Sequence, residues 1–445
     1  MNNRFLLLLA LSFMHIYSDL WGQNPNAPGT QEPHPNQYFV KLCHGVSNKE
    51  ANALMSELNS VQLWENKKIG LRLWAVKQLP YSCSDGDITD INEHLVRSKR
   101  KTNIDDAMLN MVFTLEGNDF GNGNSNFDNL NLNGALGSTP VRIAILDSGI
   151  SDAAIAASAD YSGPVVYTGY DYVDDDPVPD DQNGHGTHIA GVIYDIVSRI
   201  STPSNITFDI RKTHDEDGFG DISNLISAIV DAVDAGANVI NMSFSYYEIF
   251  DSEELNPLQV AIEYAEQKGV LVVASAGNKY QNNDAPGAVP VPANLPNENI
   301  ISVASNRSDE SLSSFSNYGS NSVDVSILGE SIPGPGLNGN RAYGSGTSLS
   351  TAIVTALSAI LGTRQDQFNS CEIKCTLINT SKNVPAMQGL NQANGVINFQ
   401  NALQSTPSQC QQACPDIDPT VVMSCGANCP PETNDMNLCV PAEVT

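Results

Sequence analysis

Basic side chains are scarce in this chain: 22 Lys and Arg stand against 50 Asp and Glu, a formal net charge of −28. So acidic a surface repels phosphate backbones and anionic bilayers, which argues against nucleic acid and membrane as partners and for a soluble, monomeric protein. Long hydrophobic runs are missing too. After the leader, nothing reaches the roughly 18 consecutive apolar residues that a bilayer-crossing helix needs. The metal spacings C-x-x-C and H-E-x-x-H do not occur. The late cysteines instead repeat C-x-x-x-C, at Cys371 and Cys375, Cys410 and Cys414, and Cys425 and Cys429.

What is present begins with an export signal. Arg4 precedes an apolar core from Phe5 to Tyr17 that is too short to span a bilayer, and cleavage after Gly22 gives a signal peptide of residues 1–22. Nine cysteines in an exported chain predict disulfides, with Cys43 and Cys83 as one candidate pair and one thiol left over. A length of 445 residues with 41% hydrophobic content leaves room for two or three domains and a sizeable core.

Residues 37–115 read as a small α+β unit. Gln37–Leu42 is a strand, and Ser47–Leu58 a helix opened by a Ser cap with Glu50 three residues on. Gly70–Leu79 reads as a strand, Asp90–Ser98 as a second helix, and Met111–Leu115 as a last strand. A Gly/Asn-rich linker follows over 116–138. From 139 to 404, short apolar strands alternate with helices, the pattern of a mostly parallel sheet flanked by helices. Its strands include Val141–Asp147, Asn238–Phe244, Val270–Ala274 and Ile300–Ala304. One helix carries Ile222, Leu225, Ile226, Ile229 and Val233 on one face, with Asp221 as cap and Gly236 as stop. Residues 405–445 form a Cys-rich tail too short for a core of its own without crosslinks.

Four places in the α/β region carry chemistry. Asp147 ends an apolar strand, where open parallel sheets put functional groups; alone it is as readily a turn-forming Asp before Ser148-Gly149. His185 sits between Gly184 and Gly186 ahead of an apolar helical run, and His188 reads as structural, without the spacing or acidic neighbour of a zinc pair. Ser348 opens a helix whose N–H groups and dipole stabilise an oxyanion, although a plain N-cap is the commoner role. Asn278 follows the strand Val270–Ala274 and brings a side-chain amide donor. The joint occurrence of an acid, a base, a nucleophile and an amide, each at a strand or helix end, outweighs the individual alternatives.

The order Asp, His, Ser is the subtilisin order, and the chain resembles the subtilases over about residues 139–404. The resemblance rests on Asp147-Ser148-Gly149, His185-Gly186-Thr187-His188, Asn241-Met242-Ser243, Ala276-Gly277-Asn278, Ser314-Phe315-Ser316-Asn317, Gly346-Thr347-Ser348 and Gly395-Val396-Ile397-Asn398. It implies a subtilisin-like α/β fold and a secreted serine endopeptidase with Asp147, His185 and Ser348 as triad and Asn278 as oxyanion donor. It implies a protein or peptide substrate lying as an added strand between Gly218-Phe219-Gly220 and Ser243-Phe244-Ser245. Ser275, Ala276 and Gly277 complete the expected substrate-binding set. The unit 37–115 resembles the family's propeptide, an intramolecular inhibitor, with the maturation cut between about Leu115 and Leu136.

Departures from the family pattern are Ala352 for a usual proline, Ala356 for a usual glycine, and Ser245 and Tyr246 for glycines at the wall of the pocket that receives the residue before the scissile bond. That pocket is therefore expected to be narrowed or reshaped, with an apolar or aromatic residue as its default. A catalytically impaired scaffold or binding protein of the same fold is the alternative. The chemistry requires no cofactor. Two acidic stretches, Asp174–Asp176 with Asp180 and Asp181, and Asp215–Asp217 with Asp221, are compatible either with structural calcium or with solvated loops.

Overall fold

The computed structural model describes residues 32–42, 47–58, 60–69, 71–76, 104–114, 137–157, 166–200, 205–249 and 256–405. The expected signal peptide, the candidate pair Cys43 and Cys83, the helix at Asp90–Ser98, the linker up to residue 136 and the tail beyond Ser405 lie outside them.

The N-terminal unit comprises β1 (Glu32–Leu42), α1 (Asn48–Glu57), β2 (Ser60–Asn66), β3 (Leu71–Val76) and β4 (Ile104–Thr114). The capping box is formed as the sequence predicts: the Ser47 hydroxyl accepts from the Glu50 N–H, and Glu50 accepts from the Ser47 N–H at 2.8 Å. Leu58 ends the helix. Strand β2 has no counterpart in the expected pattern, and β1 begins five residues before the expected Gln37. The early part of β1 contains Pro33 and Pro35, and its pairing with β4 shifts register between Pro33 and Tyr38, which is how a ladder tolerates residues lacking an N–H.

The second body is built on β5 (Val141–Asp147), α2 (Asp152–Ala157), β6 (Tyr167–Asp171), α3 (His185–Ile200), β7 (Ile206–Lys212), β8 (Phe219–Asp221) and α4 (Ile222–Asp234). It continues with β9 (Val239–Met242), β10 (Tyr246–Ile249), α5 (Pro257–Gln267), β11 (Leu271–Ser275), β12 (Ala288–Val291), β13 (Ile300–Asn306) and β14 (Val325–Leu328). The hairpin β15 (Ile332–Pro335) and β16 (Arg341–Gly344) leads into α6 (Thr347–Thr363) and α7 (Ser370–Thr380). Seven of these strands form one parallel sheet in the order β14-β13-β11-β9-β5-β7-β6.

Alternation along each strand feeds two cores, one per face. Val141, Ile143 and Ile145 of β5 pack with α3 and α6 residues such as Ile189, Ile193, Ile353 and Leu357. Ala144 and Leu146, pointing the other way, join Leu225, Ile229, Leu258 and Ile262 of α4 and α5. Each buried Val, Leu or Ile among them contributes about 1.5–3 kcal/mol by leaving water. Asp221 caps α4 through the Ser223 N–H, and Gly236 leaves the helix at φ +82°, a conformation that favours glycine. From β5 the chain builds β6 and β7 on one side, then β9, β11, β13 and β14 on the other, so the strand order reverses at β5, and the carboxyl ends of strands at such a reversal are where open parallel sheets place binding groups. Cys371 and Cys375, one turn apart in α7, are both disulfide-bonded.

The sheet order β2-β3-β1-β4-β8 joins the two bodies. Strand β4 lies antiparallel on β8, with Val112 opposite Asp221, Phe113 opposite Gly220 and Thr114 opposite Phe219.

Candidate active site

Asp147 is the last residue of β5 and fully buried. Its backbone carbonyl accepts from Thr213 N–H at 2.8 Å and His214 N–H at 3.3 Å, which ties the strand end to the chain leaving β7. Its Oδ1 accepts from the Ser148 N–H at 2.8 Å and lies 2.6 Å from Nδ1 of His185. A carboxylate only accepts, so Nδ1 carries the proton and the neutral ring keeps its lone pair on Nε2. That nitrogen is buried and has no hydrogen-bond partner among the described residues.

His185 is the first residue of α3. Gly186 beside it has no room for a side chain, because a Cβ there would stand 2.3 Å from the Gly149 carbonyl oxygen. Asp181 builds the local loop. Its carboxylate accepts from the Ser148 hydroxyl at 2.9 Å, the Asn183 and Gly184 N–H groups at 2.9 and 2.8 Å, and both N–H and hydroxyl of Thr187. Asp181 therefore positions the histidine turn from within, a role that its place in an acidic stretch of the sequence does not reveal. Asp181→Ala is expected to strand several of these buried donors and cost on the order of 3 kcal/mol, seen calorimetrically as a melting temperature lower by roughly 5–10 °C.

Burial opposes charging of His185, but the adjacent Asp147 carboxylate, through charge and hydrogen bond, and the charge of Asp181 outweigh it and hold the imidazole above its ordinary value of 6.5. His188 behaves differently: burial brings it down to about 4, and its Nε2 donates to the Ile332 carbonyl at 3.1 Å. His214 is a third buried histidine, lowered to about 3 by burial first and by His185 second, with its ring edge-on to Phe244 at 4.6 Å. Nothing in the sequence pattern marks it.

Ser348 is the second residue of α6 and 4% exposed. The helix opens on Gly346, which supplies no side-chain cap. Asn278 leaves β11 and its Oδ1 accepts from both the N–H and the hydroxyl of Thr347, each at 2.9 Å. Its carbonyl end is thus fixed against the helix start, and its NH2 end remains the donor. Ser243, just past β9, donates to the Ser348 carbonyl at 2.9 Å and accepts from Asn241 Nδ2 at 2.9 Å. Asn241 in turn accepts from the Thr355 hydroxyl at 2.8 Å, so the strand end and the helix are braced together. Helix α6 runs unbroken through Ala352 and Ala356.

Of the expected substrate-binding residues, Ser243, Phe244 and Ser245 are buried on the β9 side and Ser275 and Ala276 on the β11 side, with Gly277 at φ +100°. Gly218 turns the chain at φ +82° into β8, where Phe219 and Gly220 pair with this chain's own β4. The described part of β4 has β1 and β8 as neighbours and makes no pairing with Ser243–Ser245.

Several carboxylates in and beside the acidic stretches are engaged within the protein. Asp171 and Lys212, partners across β6 and β7, form a buried ion pair at 2.9 Å, and the same ammonium donates to Gln182 at 2.8 Å. Asp176 and Asp215 accept from nearby backbone N–H groups. Among the described residues no group of three or more His, Cys, Asp and Glu side chains is placed to hold a metal ion.

The profile described as the subtilase family matches residues 138–396. The chain belongs to the subtilase family. A thermophilic serine proteinase of Bacillus sp. (strain AK1) is 34% identical over 253 residues, covering 56% of this chain and 58% of that protein. Thermitase of Thermoactinomyces vulgaris is 33% identical over 267 residues, 59% of this subtilase and 88% of thermitase. This subtilase therefore spans most of thermitase but only 58% of the first relative. Fervidolysin from Fervidobacterium pennivorans shares the fold at TM-score 0.66 and 18% identity, covering 86% of this chain and 62% of its own.

Proposed function

We propose that this subtilase is a secreted serine endopeptidase made as a precursor, acting as a monomer on protein or peptide substrates. The observation that carries the reading is the 2.6 Å contact between Asp147 and His185, with the opposite ring nitrogen buried and unpaired among the described residues. In this reading Nε2 takes the Ser348 hydroxyl proton as the oxygen attacks the peptide carbonyl carbon. The Asn278 NH2 group and the Ser348 N–H hold the tetrahedral oxyanion. His185 then gives its proton to the departing amine, and water, deprotonated by the same nitrogen, releases the acyl group.

Export is read from the apolar leader; among the described residues, no helix is long and apolar enough to cross a membrane. The inhibitory role of residues 37–115 is supported by β4, which occupies the β8 edge in antiparallel pairing, the mode by which an extended substrate adds to a sheet. The chemistry is assigned to side chains alone, so exhaustive chelation should leave the turnover of folded enzyme unchanged.

The test is hydrolysis of an unfolded protein by the processed chain, followed by sequencing of the new amino termini. Internal cuts support an endopeptidase; an inert, correctly processed chain supports the scaffold alternative. Because the neutral imidazole is the base and its value is raised, activity should fall as pH drops through a midpoint above 6.5. A kcat/KM profile checks this, and a midpoint below 6.5 would contradict it.

A further inference from the structure

Helices α3 and α6 carry the base and the nucleophile, and the hairpin β15–β16 touches both. His188 is the residue of α3 against which it rests. The backbone N–H of His188 donates to the Gly184 carbonyl at 3.1 Å and closes the first turn of the helix, beside His185. Its ring reaches the other way, and Nε2 donates to the Ile332 carbonyl of β15 at 3.1 Å. A Cβ on Gly334 would stand 2.7 Å from that nitrogen and one on Gly344 3.5 Å from it, so the ring lies against both strands of the hairpin. At position 334 only glycine leaves room for it. In the turn of the hairpin, Leu337 rests on Gly184, where a Cβ would come within 3.2 Å of its Cγ.

The same hairpin fixes the start of α6. A Cβ on Gly344 would stand 3.4 Å from Leu349, the residue after Ser348, so Gly344 lies between the His188 ring and the first turn of the nucleophile's helix. Three residues separate Gly344 from Ser348, and two of them are tied back to the chain entering the hairpin. Ser345 Oγ accepts from the Ser331 N–H at 2.9 Å, and the Gly346 N–H donates to the Gly329 carbonyl at 2.9 Å. Hairpin and helix start are thus one braced piece, and His188 gives that piece a buried hydrogen bond to α3. Burial keeps the imidazole neutral, its value brought down to about 4, so the ring donates without adding a second charge beside His185.

We infer that His188 is a positioning residue for the reaction: acting through the hairpin, it sets where the Ser348 hydroxyl stands relative to Nε2 of His185. The inference rests on the endopeptidase reading above and adds to it a residue that touches neither substrate nor reacting atoms. Such a role shows in turnover and not in substrate binding. Attack needs the reacting atoms aligned at about 3–3.5 Å, and a misplacement of about 1 Å costs about 100-fold in rate.

The test compares processed wild-type protein, His188→Leu, His188→Gln and Gly334→Ala on one peptide substrate, with working sites counted by exhaustive fluorophosphonate labelling. Leucine fills similar space without the donor, so kcat per labelled site should fall by about 10- to 100-fold with KM little changed. Glutamine carries its NH2 as many bonds from Cα as the imidazole carries Nε2, and should restore most of the lost kcat. Gly334→Ala keeps the imidazole but drives a methyl against it, and should lower kcat per site as His188→Leu does. It decides the question alone should His188→Leu fail to fold. An unchanged kcat per site in either variant, a loss that appears in KM, or a glutamine that restores nothing would overturn the assignment. So would a loss confined to the number of labelled sites and the melting temperature, which would leave His188 to packing. Wild-type protein that neither cleaves nor takes the label would instead fail the endopeptidase reading itself.

Discussion

Ser348→Ala should lower turnover of a peptide substrate by about 10⁶-fold and leave the precursor uncut. The expected residue of activity comes from substrate binding and oxyanion stabilisation, which do not need the hydroxyl. The fold should survive. The bracing contact to Ser243 uses the Ser348 backbone carbonyl, and the Asn278 contact uses Thr347, so removing one oxygen at the first turn of α6 breaks neither. Unchanged melting with lost hydrolysis would separate chemistry from stability. A variant that still matures itself would show that Ser348 is not the nucleophile.

Asp147→Asn should cost about 10⁴-fold in kcat, the size of effect seen when the orienting acid of such a triad becomes an amide. The Ser148 N–H donates to the position of Oδ1, so an acceptor stays favoured there. An amide so placed no longer holds the Nδ1 proton of His185 as an ion does. The ring is then free to carry its proton on Nε2, where it cannot accept from Ser348. A second signature distinguishes this from general damage. With the carboxylate charge gone, burial acts on His185 with less opposition, and the acid limb of the pH profile should move downward. A limb that stays in place would mean that Asp147 does not set the histidine.

Much of the fold and of the site is legible in the amino-acid sequence. The apolar run Val141–Asp147 marks both the strand and its two-faced core, because a parallel strand covered on both sides has to be apolar at nearly every position. The Ser47 and Asp221 caps and the Gly236 stop are legible for a different reason: they act within one helical turn, so the partners are close in sequence. Asp147, His185, Ser348 and Asn278 are recognisable as strand-end and helix-start residues, each marked by neighbouring glycines or an apolar run.

The rest depends on pairings distant in sequence. Asp181 gains its function by collecting donors from Ser148 to Thr187, and nothing about an acidic stretch announces that. Lys212 meets Asp171 only because β6 and β7 lie in a particular parallel register. His214 is placed by the backbone contact of its strand exit with Asp147. Strand β2 escapes the pattern because its pairing with β3 is interrupted by a register shift between Gln62 and Trp64, which disturbs the two-residue period.

The most direct test of the central claim is covalent labelling of processed protein with a fluorophosphonate, mapped by mass spectrometry across a pH series. A single adduct on Ser348, formed more slowly as pH falls through a midpoint above 6.5, is the predicted result. No adduct on correctly processed protein, or an adduct on another serine such as Ser243 or Ser245, would contradict it.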